Sequence, residues 1–297
     1  MPLTRSEPSA AATAAFDYSA AFSRNLGWLT EAEQERLRNK HIAIAGLGGV
    51  GGAHLLTLAR LGIGRFSIAD LDAFDIVNFN RQAGASMSTI GRPKVDVLAE
   101  KALQINPQLD IRRFSGGVNA SNIDAFLGGV DCYVDGLDFF AFEAREMTFS
   151  ACGEKRIPAV TAAPIGMGVA LLNFLPGHMS FKRYFRVKGC SDAEKAVRFL
   201  VGLAPAMLHR GYLVDRSRVE LAARRGPSTV MACQLCAGVA ATEVLKILLG
   251  RGPVLSAPWG LHFDAYTNRM RKTWRPAGNA NPLQQLLMKI ARRAYRG

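Results

Sequence analysis

The sequence predicts an α/β domain with a doubly wound, mainly parallel sheet and helices on both faces. Three observations lead to this prediction: a length of 297 residues, a composition with 49% hydrophobic and 21% charged residues, and short apolar segments that alternate with helical patterns. The length fits one large domain, and the composition excludes wholesale disorder. Parallel strands require crossover connections, so this alternation is typical of a doubly wound sheet.

Five strands are predicted in the first 166 residues. They are expected at 41–46, 65–72, 110–116, 130–138 and 158–166, with helices at 29–38, 53–62, 93–106, 122–127 and 143–156. Thr30 followed by Glu33 is a capping-box pattern for the first helix. Gly62 ends the second helix and Pro93 opens the third, as is usual at helix ends. The segment 167–176 is a candidate further strand.

The remaining segments define the predicted domain boundaries. Residues 1–20 are expected to be a flexible lead-in, 21–265 the main domain, and 266–297 a basic C-terminal extension. Within the domain, 178–230 is basic and is predicted to be an irregular, mobile crossover, followed by a buried helix over 230–250. In the extension, one helical stripe is apolar and the cations lie largely opposite; we expect this helix to pack on its own domain, the alternative being an anionic membrane or a partner. The stripe consists of Leu283, Leu286, Leu287, Ile290 and Ala291.

The chain is strongly basic. It has 37 Lys and Arg against 24 Asp and Glu, which gives a net charge of +13 and a pI near 9.9 and favours an anionic partner: a nucleotide, a nucleic acid or a lipid surface. No uninterrupted apolar run reaches the roughly 18 residues of a membrane span, and membrane association is not expected. The N-terminus lacks the continuous apolar core of a secretion signal, and five cysteines do not make a disulfide scaffold. We expect a cytoplasmic protein.

The segment GLGGVGG, residues 46–52, lies between a predicted strand and a predicted helix. Glycines here allow a sharp turn and let backbone amides approach a phosphate at the helix N-terminus. Asp70 follows the next strand roughly twenty residues later, where an acid holds a ribose hydroxyl. This Rossmann-like pattern predicts an adenine nucleotide; the alternative is that the glycines only permit tight packing. The glycines predicted to bind it are Gly46, Gly48, Gly49 and Gly51.

Polar residues are concentrated after the second strand. The segments DLDAFDIVNFNRQ and GRPK contain Asp72, Asn78, Arg81, Gln82 and Lys94. Hydride transfer has little use for cations near a triphosphate, whereas attaching AMP to a carboxylate requires neutralisation of the α-phosphate and of the departing pyrophosphate. Arg81 offers a fork for phosphate oxygens and Lys94 a compact charge. For either cation alone a solvated surface role is the simpler interpretation, but the ordered set favours a phosphate site.

Asp138 ends the segment VDCYVDGLD, after the fourth predicted strand. It is expected at the same edge of the sheet as Asp70, where it can hold Mg²⁺ together with water and phosphate oxygens. The predicted cofactors are therefore ATP and Mg²⁺.

Together these motifs resemble the ThiF/MoeB/HesA adenylyltransferases, bacterial relatives of ubiquitin-activating enzymes. The matching segments are GLGGVG (46–51), DLD (70–72), NFNRQ (78–82), GRPK (91–94), INP (105–107) and the aspartate of VDGLD (138), and CAGVAATEVLKILLG is similar to a late helix of the family. The resemblance implies a nucleotide site with distinct roles for its residues. Asp70 would hold the ribose; Arg81, Gln82 and Lys94 the phosphates, with Asn78 beside them; and Asp138 the magnesium.

The segment FSRN, residues 22–25, resembles the family's N-terminal aromatic-x-Arg segment. The resemblance implies that Arg24 reaches into the nucleotide site of a neighbouring subunit and acts there as a catalytic cation, and hence that the protein is a homodimer. The alternative is a surface arginine in a loose arm.

The cysteines depart from the family pattern. Many members have two CxxC pairs that bind zinc, but here only Cys233 and Cys236 have this spacing, inside an apolar helical segment, so no zinc is expected. Cys190 lies in VKGCSD, where some relatives place a thioester-forming cysteine, and neighbouring Lys188 would favour its thiolate. The alternative is an incidental loop cysteine. Phe139 replaces the family's usual Asn or Ser after the metal aspartate.

The leading function is an ATP-dependent adenylyltransferase that releases pyrophosphate and forms an acyl-adenylate on the C-terminal glycine of a small ubiquitin-like or sulfur-carrier protein. A tRNA threonylcarbamoyladenosine dehydratase-like enzyme is second, because VNFNRQ resembles that branch and the net charge suits tRNA. An NAD-dependent oxidoreductase is supported only by the glycine turn and Asp70. A non-catalytic scaffold is disfavoured by Arg81, Lys94 and Asp138.

Overall fold

The computed structural model describes residues 15–220 and 224–294, which are built around a mixed eight-stranded sheet. Its strands are β1 (His41–Ala45), β2 (Arg65–Ala69), β3 (Asp110–Phe114), β4 (Cys132–Asp135), β5 (Ala159–Ile165), β6 (Gly168–Phe174), β7 (Trp259–Asp264) and β8 (Arg269–Trp274). They lie in the order β3-β2-β1-β4-β5-β6-β7-β8, the first five parallel and the rest antiparallel. The predicted fold class is confirmed. The hairpin β7–β8 is a feature that the sequence did not predict.

The five helices predicted in the first part of the chain are present, and they are preceded by a short helix over 18–22 that was not predicted. The helices are α1 (Tyr18–Phe22), α2 (Glu31–Arg38), α3 (Gly49–Arg60), α4 (Lys94–Ile105), α5 (Ile123–Phe126), α6 (Phe142–Glu154), α7 (Phe181–Phe185), α8 (Asp192–Leu203), α9 (Val230–Leu249) and α10 (Pro282–Ala294). The capping box of α2 forms as expected: the Thr30 hydroxyl accepts from the Glu33 amide, and the Glu33 carboxylate accepts from the Thr30 amide at 2.9 Å.

Both faces of the sheet are covered, because side chains alternate along each strand. In β1, Ile42 and Ile44 belong to the core formed with α3, α4 and α9, whereas Ala43 and Ala45 face an aromatic-rich core formed with α6, α7 and α8. The carboxyl ends of β1, β2 and β4 meet at one edge of the sheet, which we call the strand-end edge. The predicted site residues follow these strands.

Helix α9 is long and apolar enough by composition to cross a membrane, and it alone passes this test within the described residues. It packs against α3 and the sheet, with Cys236, Ala240 and Val244 in the core. These contacts make α9 a core helix, as the sequence predicts. It ends at Gly250, whose φ of 68° is the left-handed conformation that favours glycine at this position.

The first predicted domain boundary falls inside α1, and the second falls in the turn between the paired strands β7 and β8. The first 14 residues of the predicted lead-in lie outside the described residues, but Tyr18 is buried, and its hydroxyl donates to the Gly62 carbonyl at 2.6 Å. At the other end, β8 pairs with β7 across the predicted boundary at residue 265. The sheet therefore extends further into the basic C-terminal segment than predicted.

The prediction of an irregular crossover over 178–230 is wrong for the part that forms α7 and α8. The cations of this segment alternate with rings that enter the core, including Phe181, Tyr184 and Phe199. The burial of these rings, rather than the charge of their neighbours, determines the local structure.

Helix α10 packs on α8, as predicted, but only Leu287 and Ala291 of the predicted stripe take part, together with Met288. Met288 and Ala291 are buried against Val197 and Val201, whereas the predicted core residues Leu283, Leu286 and Ile290 are 42–58% exposed. The reason is Gln284, which is buried because its amide donates to the Val201 carbonyl at 3.2 Å. A satisfied polar side chain thus shifts the buried face of the helix.

A candidate nucleotide site at the strand-end edge

Two glycines of the turn after β1 are required by packing. Gly46 has φ of 81°, and a Cβ there would overlap the Gly136 carbonyl. A Cβ on Gly51 would overlap the Gly46 carbonyl oxygen. The ends of β1 and β4 and the first turn of α3 therefore approach each other more closely than larger residues allow. For these two glycines, the packing interpretation accounts for the residue type.

A third glycine of the turn, Gly48, leaves space for a ligand. A Cβ on Gly48 would meet only the Gln82 amide nitrogen, at 3.8 Å. Gly48 is also the N-cap of α3, and no side chain caps this helix end. Its first backbone amides therefore have no side-chain acceptor, and together with the helix dipole they favour an anion.

The acidic residues after β2 are bound to the turn and to Lys94. The Asp70 carboxylate accepts from the Leu47 amide at 2.6 Å and from the Asp72 amide at 2.8 Å. Asp72 accepts from the Lys94 ammonium at 3.0 Å, and Lys94 is only 5% exposed. Lys94 is thus not a free surface cation, because a more exposed carboxylate holds it at the first turn of α4.

Arg81 lies over the glycine turn. Its side-chain carbons come within 3.6 Å of the position of a Cβ on Gly49, and its guanidinium donates to the Val77 carbonyl at 3.1 Å and to Asn80 at 2.9 Å. Within the described residues it has no carboxylate partner. Its charge is therefore held near Gly49 without being neutralised.

Two amide side chains, Asn78 and Gln82, lie in the same segment as Arg81. Asn78 is buried and accepts from the Asp75 amide at 3.0 Å, so it shapes the turn that carries Arg81. Gln82 is 7% exposed, and its side-chain oxygen has no hydrogen-bond partner. A buried amide oxygen without a partner costs free energy, and a donor from a bound ligand would remove this cost.

Cys233 reaches the glycine turn from α9, which the sequence did not indicate. Its Sγ is 2.9 Å from the position of a Cβ on Gly49, so this glycine leaves room for the thiol. Burial raises the pKa of the Cys233 thiol, and burial raises the pKa of Cys236 still further. Both cysteines are core residues here. Across 15–220 and 224–294, no group of three or more metal-ligating side chains is close enough to hold an ion, and the zinc prediction stays a prediction.

Asp138 follows β4 in an exposed loop at the strand-end edge. One carboxylate oxygen accepts from the Phe140 amide at 3.0 Å, which leaves the other for a ligand. Mg²⁺ in nucleotide sites takes one or two carboxylates and completes its shell with water and phosphate oxygens. A single well-placed aspartate therefore fits this role.

Arg145 of α6 holds the Asp138 loop, a role that the sequence did not reveal. Its buried guanidinium donates to the carbonyls of Leu137 at 2.7 Å, Asp138 at 2.9 Å and Phe139 at 3.3 Å. It also pairs with the buried Asp135 at 2.9 Å and lies 4.5 Å from the ring centre of Phe199. One side chain thus fixes three successive carbonyls and connects the loop to α8.

Two predicted site residues lie away from this edge. Arg24 is in a short 3₁₀ turn beside Leu61, at the C-terminal end of α3, whereas the glycine turn is at the N-terminal end. A helix of this length spans about 18 Å, so Arg24 does not reach the site of its own chain. Cys190 lies in the loop before α8 and lines a cavity that contains none of the predicted nucleotide residues.

The family follows from a comparison with known proteins. Residues 22–285 match the model of the ThiF family. The chain belongs to this family. The match confirms the predicted resemblance and, together with the relatives below, the predicted enzyme class, an adenylyltransferase of the ThiF type.

Three relatives illustrate the range of the family. The heterocyst HesA protein of Trichormus variabilis is 29% identical over 214 residues, covering 66% of this chain and 79% of HesA. A tRNA threonylcarbamoyladenosine dehydratase of Bacillus subtilis is 33% identical over 142 residues, covering 48% of this chain and 55% of the dehydratase. The molybdopterin-synthase adenylyltransferase of Escherichia coli is 31% identical over 134 residues, covering 45% and 53%.

Solved structures share the fold. PaaA matches with a TM-score of 0.66 at 18% identity, covering 91% of this chain and 77% of PaaA. Escherichia coli MccB with ATP matches with a TM-score of 0.60 at 19% identity, covering 81% and 65%. MccB has also been crystallised with MccA. At these identities the likeness shows the fold alone.

Proposed function

We propose that this protein is a Mg²⁺-dependent adenylyltransferase that uses ATP to activate the C-terminal carboxylate of a small ubiquitin-like or sulfur-carrier protein. One observation carries the proposal: the N-terminus of α3 has no side-chain cap and opens at Gly48, with Arg81 against the turn and Lys94 held by Asp72 just after the acid that binds the turn. An uncapped helix end with two cations is suited to a polyphosphate.

In the proposed reaction, a carboxylate oxygen attacks the α-phosphorus of ATP. The bond between that phosphorus and the bridging oxygen breaks, and pyrophosphate leaves with the electron pair. No general base is needed, because a carboxylate is already ionised near neutral pH. The protein therefore acts mainly by positioning and by neutralising charge.

The described residues divide these tasks. In this proposal Asp70 binds the ribose, Arg81 and Lys94 bind the phosphates, and the side-chain oxygen of Gln82, which has no partner in the described residues, accepts from a donor on the nucleotide. Asp138 would hold Mg²⁺, which, when bound, supplies positive charge to the phosphate oxygens. Arg145 keeps the Asp138 loop in place.

A homodimer is part of the proposal. Arg24 lies too far from its own glycine turn to act there, which supports a role in the site of a second copy. Trp28 beside it is 86% exposed, and exposed tryptophans are typical of protein interfaces. The cytoplasmic location and the thioester role of Cys190 stay predictions.

The choice of a protein substrate is supported by MccB, a structural neighbour crystallised with MccA. A tRNA substrate is the second candidate, because the match to the Bacillus subtilis dehydratase is 33% identical over 48% of this chain and the net charge is +13. An NAD-dependent oxidoreductase is not supported by the cations beside the turn.

Parallel titrations with ATP and NADH test the nucleotide class directly. We expect ATP to bind in the presence of Mg²⁺, to bind more weakly with EDTA, and NADH not to compete. An Asp138→Asn variant is compared with the unmodified protein. Mg²⁺ should strengthen ATP binding to the unmodified protein but not to the variant. Binding of NADH in preference to ATP would overturn the proposal.

A further inference from the structure

A second basic region lies on the exposed side of α7, outside the nucleotide site. The loop between α7 and α8 borders an open cavity of about 620 Å³, which we call the basic cavity. Its charged residues are Lys182, Arg183, Arg186, Lys188 and Arg198, and Ser180 and Cys190 complete its wall. It shares no residue with the strand-end edge, so the proposed ATP chemistry does not account for it.

Most of this charge is not neutralised. Within 15–220 and 224–294, only Arg198 among the five cations has a carboxylate partner, Glu194 at 2.6 Å. The acids at the start of α8 are already used: Asp192 pairs with Arg224 at 2.8 Å, and Glu194 also pairs with Arg292 at 2.6 Å. Several uncompensated cations around one concave surface attract a ligand with several negative charges.

The backbone that carries the cations is held in a defined shape. Arg198 donates to the Arg186 carbonyl at 2.6 Å, Asn279 donates to the Phe185 carbonyl at 2.9 Å, and Val187 is buried. A ligand therefore meets an ordered surface, and binding costs less conformational entropy than ordering a free loop would.

The burial of the aromatic rings distinguishes between two classes of anionic partner, single-stranded RNA and an acidic protein segment. Phe181, Tyr184 and Phe185 alternate with the cations but are 0–4% exposed, and none of the described residues that line the cavity is aromatic. Single-stranded RNA is bound largely by stacking bases on exposed aromatic rings. An acidic protein segment needs only charged groups, which Lys and Arg provide for carboxylates.

We propose that the basic cavity docks an acidic segment of the protein substrate, an inference that rests on the proposed function. Helix α8 connects the two places: Arg198 lines the cavity, and the next residue, Phe199, packs on Arg145, which holds the Asp138 loop. This path runs across α8, whose diameter with side chains is about 12 Å, and about four residues of an extended C-terminal tail cover that distance. An acidic body docked on the cavity thus leaves its tail within reach of ATP.

Fluorescence anisotropy with three probes tests this surface: a labelled oligoglutamate peptide, a labelled oligouridylate of equal charge, and orthophosphate as competitor. The test variant is the triple substitution Lys182→Gln, Arg183→Gln, Lys188→Gln. The matched control is Arg269→Gln, Arg271→Gln, Lys272→Gln on the exposed strand β8, which removes the same charge from residues that also lack carboxylate partners in the described part of the chain. Circular dichroism checks that both variants are folded.

We expect the peptide to bind the wild-type protein and to bind the cavity variant about tenfold more weakly, the combined effect of three partly exposed ion pairs. The control variant should lose about twofold or less, and orthophosphate should compete only weakly. Equal losses in both variants would overturn the proposal, as would oligouridylate binding more tightly than the peptide. If the wild-type protein binds Mg·ATP but not the peptide, the docking proposal is wrong and the adenylation proposal stands. If the wild-type protein does not bind ATP, the adenylation proposal is contradicted.

Discussion

The strand-end edge and the basic cavity both carry cations, but they hold them differently. Lys94 is buried and paired with Asp72, whereas Lys182 and Lys188 are exposed and have no carboxylate partner within the described residues. A cation held by a fixed neighbour is suited to charge that develops at one point during a reaction. Exposed cations on a concave surface are suited to attracting and docking a partner. The difference indicates that the excess positive charge has two tasks: to stabilise a reaction at the strand-end edge and to dock a partner at the basic cavity.

The largest effect on stability is expected at the strand-end edge, where charged side chains are held by fixed neighbours. Arg145→Met leaves Asp135 buried without its partner, and we expect a loss of about 3–5 kcal/mol in the free energy of unfolding, measured by urea titration. Arg113→Met is the matched control: Arg113 pairs with Asp96 on the surface, and its loss should cost under about 1 kcal/mol. Similar losses in both variants would show that Arg145 is not the support we describe.

The second prediction compares a glycine that is required by close packing with a glycine that faces open space. Gly51→Ala forces a Cβ into the Gly46 carbonyl, and we expect a loss of about 1–3 kcal/mol in thermal or urea unfolding. Gly238 also lies in a helix, but a Cβ there meets nothing within 4 Å, and Gly238→Ala should stabilise the protein by about 1 kcal/mol. A Gly51→Ala protein as stable as the wild type would contradict the close approach.

A smaller effect is expected where α10 joins α8. Hydrogen bonds from Arg292, and then from Arg198, lower the pKa of Glu194 to about 2 from its ordinary value of 4.5. Because the folded-state pKa is depressed, this stabilisation is present above pH 4.5 and is lost as the pH falls toward about 2. Glu194→Gln should therefore be less stable than the wild type at pH 7, and urea titrations should show the difference shrinking over this window. A difference independent of pH would refute the ion-pair explanation.

The sequence predicts the nucleotide half of the molecule well because its determinants are local. The glycine turn from Gly46, the capping box at Thr30 and the acid after β2 can each be recognised from a few neighbouring residues in the sequence, and the structure contains all three elements. Arg81 also lies against the turn, whereas the pairing of Lys94 with Asp72 was not predicted.

The rest depends on contacts between distant residues. β8 has the sequence RMRKTW, which lacks the alternation of a half-buried strand because it is an exposed edge strand paired only with β7. The rings that fold α7 and α8 are hidden among cations, and the buried Gln284 breaks the apolar pattern of α10. Arg145 has no motif; only the folded chain shows that its guanidinium reaches three carbonyls of the Asp138 loop.

The most direct test of the account is ATP–pyrophosphate exchange in the presence of a small ubiquitin-like or sulfur-carrier protein. Arg81→Ala should lower kcat about a hundredfold, since one lost charge-stabilising donor is worth about 3 kcal/mol. Arg92→Ala, which removes an exposed arginine paired with Glu100 near the same edge, should leave kcat within about twofold of the wild type. Exchange by Arg81→Ala at the wild-type rate would contradict the claim that this cation stabilises the reacting phosphate.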